Sequence, residues 1–223
     1  MYDIVTYGNL VVDTVYDGYL KYKRLGGIAN VWNALKEINT SLRVEISPCS
    51  YGEAIIYVDR VNNERVSNAV MATTPLNPKI FESNISHIAY LNHLPNADFV
   101  FGLPGIISAD TCSGRPPSDD LLAHCDFLFV SDDDLWEDLQ SLMRKVKGTV
   151  ILHSPKGSVY SLDGGIHEHK IDDSLYIHNA NVLGAGDIFA AAFLSSIAAS
   201  KTIEDSIKYA HDTTSTLLTK KCL

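Results

Sequence analysis

The chain has 223 residues, of which 46% are hydrophobic and 20% are charged, and its formal net charge at pH 7 is −9. This composition is typical of a soluble globular protein that is long enough to bury a core, and we expect one domain. The negative net charge disfavours a nucleic-acid backbone as partner, although a nucleotide would need only a local phosphate site.

The apolar segments and the cysteines indicate the setting of the protein. No apolar run approaches the roughly 18 residues that a membrane-spanning helix needs, so we expect no membrane partner. The first residues, Met-Tyr-Asp, contain no basic segment, and we expect no secretory signal. Four cysteines lie apart in the chain without a C-x-x-C pair, which predicts free thiols in a reducing cytoplasm.

The first third of the chain predicts strands on either side of a helix. Residues 3–7 are a short β-branched run, which is typical of a buried strand. Residues 11–22 mix apolar, acidic and aromatic side chains around a glycine and predict edge strands or a flap. Paired glycines, Gly26 and Gly27, precede a run of helix formers, so we expect a turn that opens into the first helix.

The middle of the chain predicts further strands and one capped helix. Residues 42–46 and 54–59 read as two strands, and a polar turn at 62–65 leads into a third at 66–71. Further strand candidates follow at 85–91, 99–101, 106–109 and 126–130. Ser131 and the three aspartates after it predict the N-cap and first turn of a helix.

The last third ends in two helices. Residues 150–153 and 158–162 predict strands joined by a turn, a hairpin turn follows at 163–165, and residues 166–177 could hold two short strands. Residues 201–218 have apolar positions at helical spacing. Strands that alternate with helices along most of the chain predict an α/β fold with a mainly parallel sheet covered on both faces.

The segment Gly184-Ala185-Gly186-Asp187 carries the strongest functional signal. Its glycines let the backbone approach a ligand, and the Ala-rich run that follows predicts a helix whose first N–H groups favour an anion. Asp187 would lie beside that anion, where a carboxylate could accept the proton of an attacking hydroxyl. The alternative is a tight connection in which Asp187 only complements the helix dipole.

This segment resembles the C-terminal signature of the ribokinase-like (PfkB) family of sugar and nucleoside kinases, and Gly26, Gly27 and Asn30 match its N-terminal signature. The resemblance follows nearly the whole chain in order. It implies a three-layer α/β sandwich with a mainly parallel sheet. It also implies one domain over residues 1–223, with a small β lid near residues 10–25 and 51–72.

The same resemblance implies roles for individual residues. The Gly184–Gly186 turn, including Ala185, would be the anion hole, and Asp187 the catalytic base. The residues implied for acceptor binding are Asn9, Asp13, Gly26, Gly27, Asn30 and Asn92. Asp13 matches an aspartate that binds sugar hydroxyls in the family; as an alternative it would be an exposed loop carboxylate.

On the nucleotide side the resemblance is accompanied by departures from the family pattern. The residues implied for nucleotide binding are Ser131, Ser154, Lys156 and Gly157, and the residue implied for metal binding is Asp134. An Asn-x-x-Glu motif of the family is replaced by Ser131-x-x-Asp134, which ordinary helix capping would also explain. Lys156 could equally be an exposed turn lysine. The usual Asp-Thr before the anion hole is Asn181-Val182, and one βα unit after the first helix is missing.

Taken as a kinase, the chain would use ATP and Mg²⁺ to phosphorylate a hydroxyl of a sugar or nucleoside. The alternative is a catalytically weakened relative that binds a sugar or nucleotide without turnover, which the departures favour. A second subunit could cover the shortened lid by strand pairing at an exposed edge, so a homodimer is a hypothesis. A dinucleotide oxidoreductase is disfavoured, because no G-x-G-x-x-G follows the first strand.

Overall fold

A computed structural model describes residues 1–72, 75–112, 114–172 and 175–222. Its strands are β1 (Tyr2–Asp17), β2 (Leu20–Gly27), β3 (Val44–Asp59), β4 (Glu64–Met71), β5 (Ser83–Ile88), β6 (Ile106–Asp110), β7 (Phe127–Ser131), β8 (Thr149–Ser154), β9 (Gly157–Leu162) and β10 (Gly165–Lys170). Its α-helices are α1 (Ile28–Ile38), α2 (Asp119–Leu122), α3 (Leu139–Lys145), α4 (Ala185–Ala198) and α5 (Ile203–Cys222).

The ten strands form one sheet in the order β10-β9-β8-β7-β6-β5-β1-β3-β4, and β2 also pairs with β1. The six strands from β8 to β3 are parallel to their neighbours in this order. Antiparallel pairing is confined to β9 and β10 at one end and to β2 and β4 at the other. The predicted α/β class with a mainly parallel sheet is confirmed.

Helices cover the sheet on both faces. One apolar core joins α1, α4 and α5 to the sheet, and in it the Phe129 and Phe193 rings pack edge to face at 5.3 Å. The other core joins Leu122 of α2 and Leu142 of α3 to the opposite face. Helix α4 is buried from Asp187 to Ser196 because it lies between the sheet and α5, as an all-round apolar helix requires. The three layers predicted from the sequence are present.

Two strands continue from the central sheet into a lid. β1 and β3 each have 16 residues and pair with each other along most of their length. Their register shifts between Gly8 and Asn9, where the facing strand has one extra residue, Cys49. Beyond this bulge β2 pairs with β1, and β4 pairs with β3. The lid therefore consists of β2, β4 and the second halves of β1 and β3.

The prediction of two separate strands at 42–46 and 54–59 is wrong, because β3 runs unbroken through Ser47, Pro48 and Cys49. These residues look like a turn in the sequence. Pro48 lacks the N–H that a regular ladder needs, but it lies at the bulge, where a proline is tolerated.

Three other local predictions also differ from the structure. Residues 99–101 belong to a 3₁₀ turn, Asp98–Gly102, and are not a strand. Ser131 ends β7 and makes no side-chain cap bond, and a short 3₁₀ turn, Asp132–Asp134, follows it. The α-helix of this region begins only at Leu139. Within 166–177 the one strand described is β10, and residues 173 and 174 lie outside the described part.

Among the described residues, no helix has the length and apolar character needed to span a membrane. Cys49, Cys112 and Cys125 are free thiols, as predicted, and the side chain of Cys222 lies outside the described part. Burial raises the pKa of each of the three described thiols to about 12. They are therefore protonated at neutral pH.

Candidate active site

The glycine turn before α4 places Asp187 in the first turn of a buried helix. Gly184 is the N-cap and has a left-handed backbone with φ 80° and ψ 16°, which glycine adopts readily. A Cβ atom at this position would lie 3.4 Å from Oδ2 of Asp187. The Ile188 N–H donates to the Gly184 carbonyl at 2.9 Å, so the helix begins directly at the turn.

The predicted anion hole is only partly open. The Ala185 N–H already donates to the Val182 carbonyl at 2.9 Å. The N–H groups of Gly186 and Asp187 lie in the first turn of α4, where no intrahelical acceptor is within reach. The N–H groups of Gly186 and Asp187 therefore remain as donors that an anion could use, and the anion hole itself stays a prediction.

Asp187 is buried, with 5% of its surface exposed, and its carboxylate is hydrogen-bonded on both oxygens. The Tyr90 hydroxyl donates to Oδ1 at 2.8 Å and lies 3.0 Å from Oδ2. The Asn30 amide donates to Oδ2 at 3.0 Å. Burial is the largest cause of a pKa raised to about 6, and the nearby charge of Asp110 raises it further, while the Tyr90 hydrogen bond opposes the rise.

A row of polar side chains joins Asp187 to the lid. Asn30, in the first turn of α1, accepts a hydrogen bond from the Arg24 guanidinium. The Arg24 Nε lies 3.6 Å from Oδ2 of Asp13, which projects from the lid part of β1. Burial raises the pKa of Asp13, and the charges of Arg24 and Arg65 oppose that rise. The structure thus brings Asp13, Asn30 and Asp187 together in one row of polar contacts, and Arg24 of this row also lines a cavity described below; the side of the row toward that cavity is called the cleft.

The paired glycines are required by close packing around this row. A Cβ atom on Gly26 would lie 2.1 Å from Oδ2 of Asp13, and one on Gly27 would lie 2.0 Å from the Asn9 carbonyl. Gly27 also has φ 62° as the N-cap of α1. The Asn9 side chain donates to the His93 carbonyl at 3.0 Å, and its buried Oδ1 has no partner among the described residues. Asn9 thus has an acceptor atom to spare.

Asn92 does not present its side chain to the cleft in the same way. Its amide donates to the Cys112 carbonyl at 2.6 Å, and its Oδ1 accepts from the Cys112 N–H at 3.2 Å. Both ends of the side chain therefore fasten the segment after β5 to the segment after β6. Acceptor binding by Asn92 stays a prediction, and in this structure its side-chain amide is bonded to the Cys112 backbone.

Residues at the site that the sequence did not single out include Tyr90 and Arg24. Tyr90 has a left-handed backbone (φ 55°), and its N–H donates to Oδ1 of Asp110 at 2.5 Å. Asp110 is the last residue of β6. Arg24 lies two residues before the paired glycines, and this position is the one feature of the sequence that could have indicated its role.

A second acidic side chain on β1 anchors the lid. Asp17 receives two hydrogen bonds from Arg60, each of 2.8 Å, and one of 2.8 Å from Asn181. The Arg60 guanidinium is the largest cause of the lowered pKa of Asp17. The Asn181 side chain also accepts the Leu183 N–H at 3.0 Å. A cavity of about 340 Å³ beside this group is lined by Asp17, Leu20, Tyr22, Arg24, Arg60, Asn181 and Leu183.

The residues predicted to bind the nucleotide lie around β8 and β9. Ser154 closes a tight turn, because its hydroxyl accepts the Lys156 N–H and donates to the Gly157 carbonyl, both at 3.1 Å. A Cβ atom on Gly157 (φ 138°) would lie 2.1 Å from the His169 carbonyl. A cavity of about 220 Å³ is lined by Asp132, Leu152, Ser154, Lys156, Gly157, Ser158, Val159, Glu168 and His169. Ser131 is paired with His153 at the end of β7, one residue before this cavity.

A metal ion would find few protein ligands here. No group of three or more His, Cys, Asp or Glu side chains that could hold a metal ion is present in the described residues. Asp134 lies in the 3₁₀ turn after β7, and its charge and that of Asp187 both act on the Cys112 thiol. Metal binding by Asp134 stays a prediction.

Comparison with known proteins places this geometry in context. Residues 96–222, more than half of the chain, match the family model described as pfkB family carbohydrate kinase. The comparison with curated proteins found no match.

Several solved structures share the fold. The nucleoside kinase of Methanocaldococcus jannaschii, an archaeal member of the ribokinase family, is 19% identical with a TM-score of 0.69, covering 98% of this chain and 92% of that one. Ribokinase of Thermotoga maritima is 14% identical with a TM-score of 0.75, covering 98% and 93%. Ribokinase of Arabidopsis thaliana, complexed with ribose and ATP, is 14% identical with a TM-score of 0.65, also covering 98% and 93%. The chain has the ribokinase-like fold.

Proposed function

Because the chain belongs to the pfkB family of carbohydrate kinases, we propose that it transfers the γ-phosphoryl group of ATP to a hydroxyl of a sugar or nucleoside. The observation that carries the proposal is the environment of Asp187. This carboxylate has a pKa raised to about 6, lies in the first turn of a helix behind a glycine turn, and connects through Asn30 and Arg24 to Asp13.

Asp187 would act as the general base. A base with a pKa of about 6 is largely ionised at neutral pH, yet it still holds a proton better than an ordinary aspartate. As it takes the proton of the acceptor hydroxyl, the acceptor oxygen forms its bond to phosphorus. The bond between that phosphorus and the leaving ADP oxygen breaks, and ADP departs with the electron pair. The N–H groups of Gly186 and Asp187 would stabilise charge on the transferred group.

Asp13 and the residues around it would hold the acceptor. Its carboxylate faces the cleft from the lid, and its ordinary partner, Arg24, is 3.6 Å away, so its oxygens retain the capacity to accept sugar hydroxyls. Asn9 offers a buried acceptor oxygen on the same strand. We propose Ser131, Ser154, Lys156 and Gly157 for the nucleotide, with the cavity beside β8 and β9 as its place.

Mg²⁺ would neutralise phosphate charge during transfer, and Asp134 is the protein residue proposed to support it. We also propose that the protein is cytoplasmic and works as a homodimer in which a second copy covers the lid. Arabidopsis ribokinase was solved with ribose and ATP, and this supports ATP as the donor for the present chain.

A second candidate function has its own support. Asn181 occupies the position where the family commonly has an aspartate, and its side chain is committed to Asp17 and to the Leu183 N–H. It therefore contributes no charge near the phosphate. A relative that binds a sugar or nucleotide without turnover would retain the cleft in this form.

The deciding experiment compares the wild type with Asp187→Asn. Thermal shifts and phosphoryl transfer would be measured with MgATP and a panel of sugars and nucleosides. We expect MgATP to stabilise both proteins and one acceptor to be phosphorylated by the wild type alone, with at least a 1,000-fold loss in the variant, on the order of 4 kcal/mol of transition-state stabilisation.

Asp3→Asn is the matched control, since Asp3 pairs with Arg43 at the far end of β1 and should leave transfer unchanged. An active Asp187→Asn protein would remove the general-base role. Stabilisation of the wild type by a ligand, with no transfer to any acceptor, would favour the binding-only function.

A further inference from the structure

The catalytic carboxylate proposed above is closed to an acceptor in this structure. Asp187 is 5% exposed, and its two oxygens receive the Tyr90 hydroxyl and the Asn30 amide. A general base needs the acceptor hydroxyl within hydrogen-bond reach, about 2.6–3.2 Å. If Asp187 has the proposed role, a side chain that covers this buried carboxylate must move aside, and its two present donors are the nearest candidates.

The contacts of the two donors indicate which one yields. Asn30 is held in place on its other side, because its Oδ1 accepts from Arg24, which in turn lies against Asp13. It also belongs to the first turn of α1. The hydrogen bonds described for the Tyr90 hydroxyl both go to Asp187. Rotating the Tyr90 side chain therefore breaks its bonds to Asp187 without disturbing the row that leads to the lid.

Tyr90 is also chemically suited to donate. Burial raises the pKa of the phenol well above its ordinary value of 10, and the charges of Asp187 and Asp110 raise it further, so the hydroxyl keeps its proton at neutral pH. Its N–H is fixed by Asp110 at the end of β6. The Tyr90 backbone is thus held by Asp110, and the Tyr90 hydroxyl is hydrogen-bonded to the Asp187 carboxylate.

Charges reach Asp187 from several elements. Arg24 of β2 and Arg65 of β4 lower its pKa, and Asp110 of β6 raises it. His153 of β8 lies close to Gly186, within 3.3 Å of where a Cβ atom would be. Burial lowers the pKa of His153 to about 4, so this ring is neutral above that pH. The His153 ring therefore adds no positive charge beside Asp187 near neutral pH.

We propose that Tyr90 is a positioning residue that caps the Asp187 carboxylate until an acceptor hydroxyl takes its place. The Tyr90 hydroxyl would orient the Asp187 carboxylate. It would also keep water from bonding to that carboxylate when MgATP is bound without an acceptor. Without the cap, a water molecule could give its proton to Asp187 and bond to the γ-phosphorus, and the bond to ADP would break to release phosphate. Tyr90 would thus favour transfer to the acceptor over hydrolysis of ATP.

The first test measures the pKa of Asp187 directly, by following its carboxyl carbon by NMR during a pH titration, with Asp187→Asn to assign the signal. Tyr90→Phe retains the ring and removes the hydroxyl. Loss of one hydrogen bond to the ionised form should raise the Asp187 pKa from about 6 to about 7. Tyr2→Phe is the matched control, because Tyr2 donates to the carboxylate of Glu45 at 3.1 Å at the other end of β1. An Asp187 pKa equal in Tyr90→Phe and the wild type would overturn the proposal.

The second test measures ATP hydrolysis without an acceptor at pH 8.5, where Asp187 is ionised in both proteins. We expect Tyr90→Phe to hydrolyse MgATP about tenfold faster than the wild type, the factor that one hydrogen bond to a charged group supplies. Tyr2→Phe should match the wild type. Equal hydrolysis by Tyr90→Phe and the wild type contradicts the cap.

The two tests also separate this inference from the proposed function. The NMR titration requires no turnover, so it decides whether Tyr90 caps Asp187 even in a protein that phosphorylates nothing. Failure of the wild type to phosphorylate any acceptor removes the kinase function, whatever the titration gives. Transfer by the wild type together with an unchanged Asp187 pKa in Tyr90→Phe removes the cap alone.

Discussion

Asp13 and Asp17 are two residues of the same strand face, yet their surroundings give them opposite properties. Asp17 accepts hydrogen bonds from Nε and Nη2 of Arg60, and these bonds lower its pKa. Asp13 has Arg24 at 3.6 Å, and burial raises its pKa. A carboxylate with a complete set of protein donors stabilises the lid, whereas one that lacks such donors can receive those of a ligand. This difference supports the proposal that Asp13 binds the acceptor, whereas Asp17 is held by Arg60 and Asn181.

Replacing Asp13 with alanine tests that assignment. We expect the KM for the acceptor to rise at least tenfold, on the order of 1.4 kcal/mol, because hydrogen bonds to a charged group are lost. The dissociation constant of MgATP, measured by calorimetry, should stay within twofold. Thr14→Ala is the control, since Thr14 is the next residue of β1 and points to the opposite face of the lid. Unchanged acceptor binding in Asp13→Ala would make Asp13 a merely structural residue.

Part of this site could be predicted from the sequence. The predictable part consists of residues that are close together in the chain. Gly184 and Asp187 are close in the chain, so the turn and the first helical position follow from local backbone chemistry. Tyr90 meets Asp187 across 97 residues of chain. A tyrosine after an apolar strand has no local property that marks it as a partner of a carboxylate. Only the order of strands in the sheet brings the two together.

Among the elements, helix α3 depends most on its cap. It has seven residues, too few to be stable as an isolated helix, and the Asp138 side chain accepts the Ser141 N–H at 2.9 Å. The sequence placed the cap at Ser131, seven residues earlier. Both positions have the right residue type for capping, and the choice between them depends on where β7 ends and on the 3₁₀ turn that follows.

Substitution of the α3 cap should affect stability and spare activity. We expect Asp138→Ala to lower the free energy of unfolding by about 1 kcal/mol, because one N–H at the helix start loses its acceptor. Urea denaturation measures the loss. Gln140→Ala, at an exposed position of the same helix, should change stability far less. Equal stability of Asp138→Ala and the wild type would show that water replaces the cap without cost.

Strands of the central sheet were predictable for a related reason. β7 is buried from Phe127 to Val130 and β8 from Thr149 to Ile151, and the nearly continuous apolar runs of such strands stand out in a sequence. β3 was harder, because its middle contains Pro48 and two serines. Its continuity comes from pairing with β1, a contact between distant parts of the chain.

At the scale of the whole molecule, the lid has an outer face, largely apolar apart from Glu53, that no other element among the described residues covers. Side chains of β3 and β4 on this outer face are strongly exposed: Tyr51 53%, Ile55 47%, Tyr57 57%, Val66 69% and Val70 74%. Alternation along the strands puts them opposite the cleft-facing side chains. Exposed apolar groups in such number are typical of an association surface, which supports the proposed homodimer.

The proposed homodimer can be tested on this outer face. We expect the wild type to have twice the mass of the 24.5 kDa chain in light scattering after gel filtration, and Ile55→Glu to have the mass of a single chain. A buried, unpaired charge at the centre of an apolar interface disfavours association strongly. Val61→Glu is the control, since Val61 is exposed in the turn between β3 and β4. A monomeric wild type would contradict the homodimer.

The continuity of β1 and β3 has a consequence for engineering. Each strand begins in the central sheet and ends in the lid, and the joint is the bulge at Gly8, Asn9 and Cys49. The lid is therefore not an independent segment that could be replaced by the lid of a relative. A graft would have to match the twist and register of both strands at the bulge, or it would misalign the sheet that carries Tyr90 and Asp110. The lid and the core would therefore have to be redesigned together.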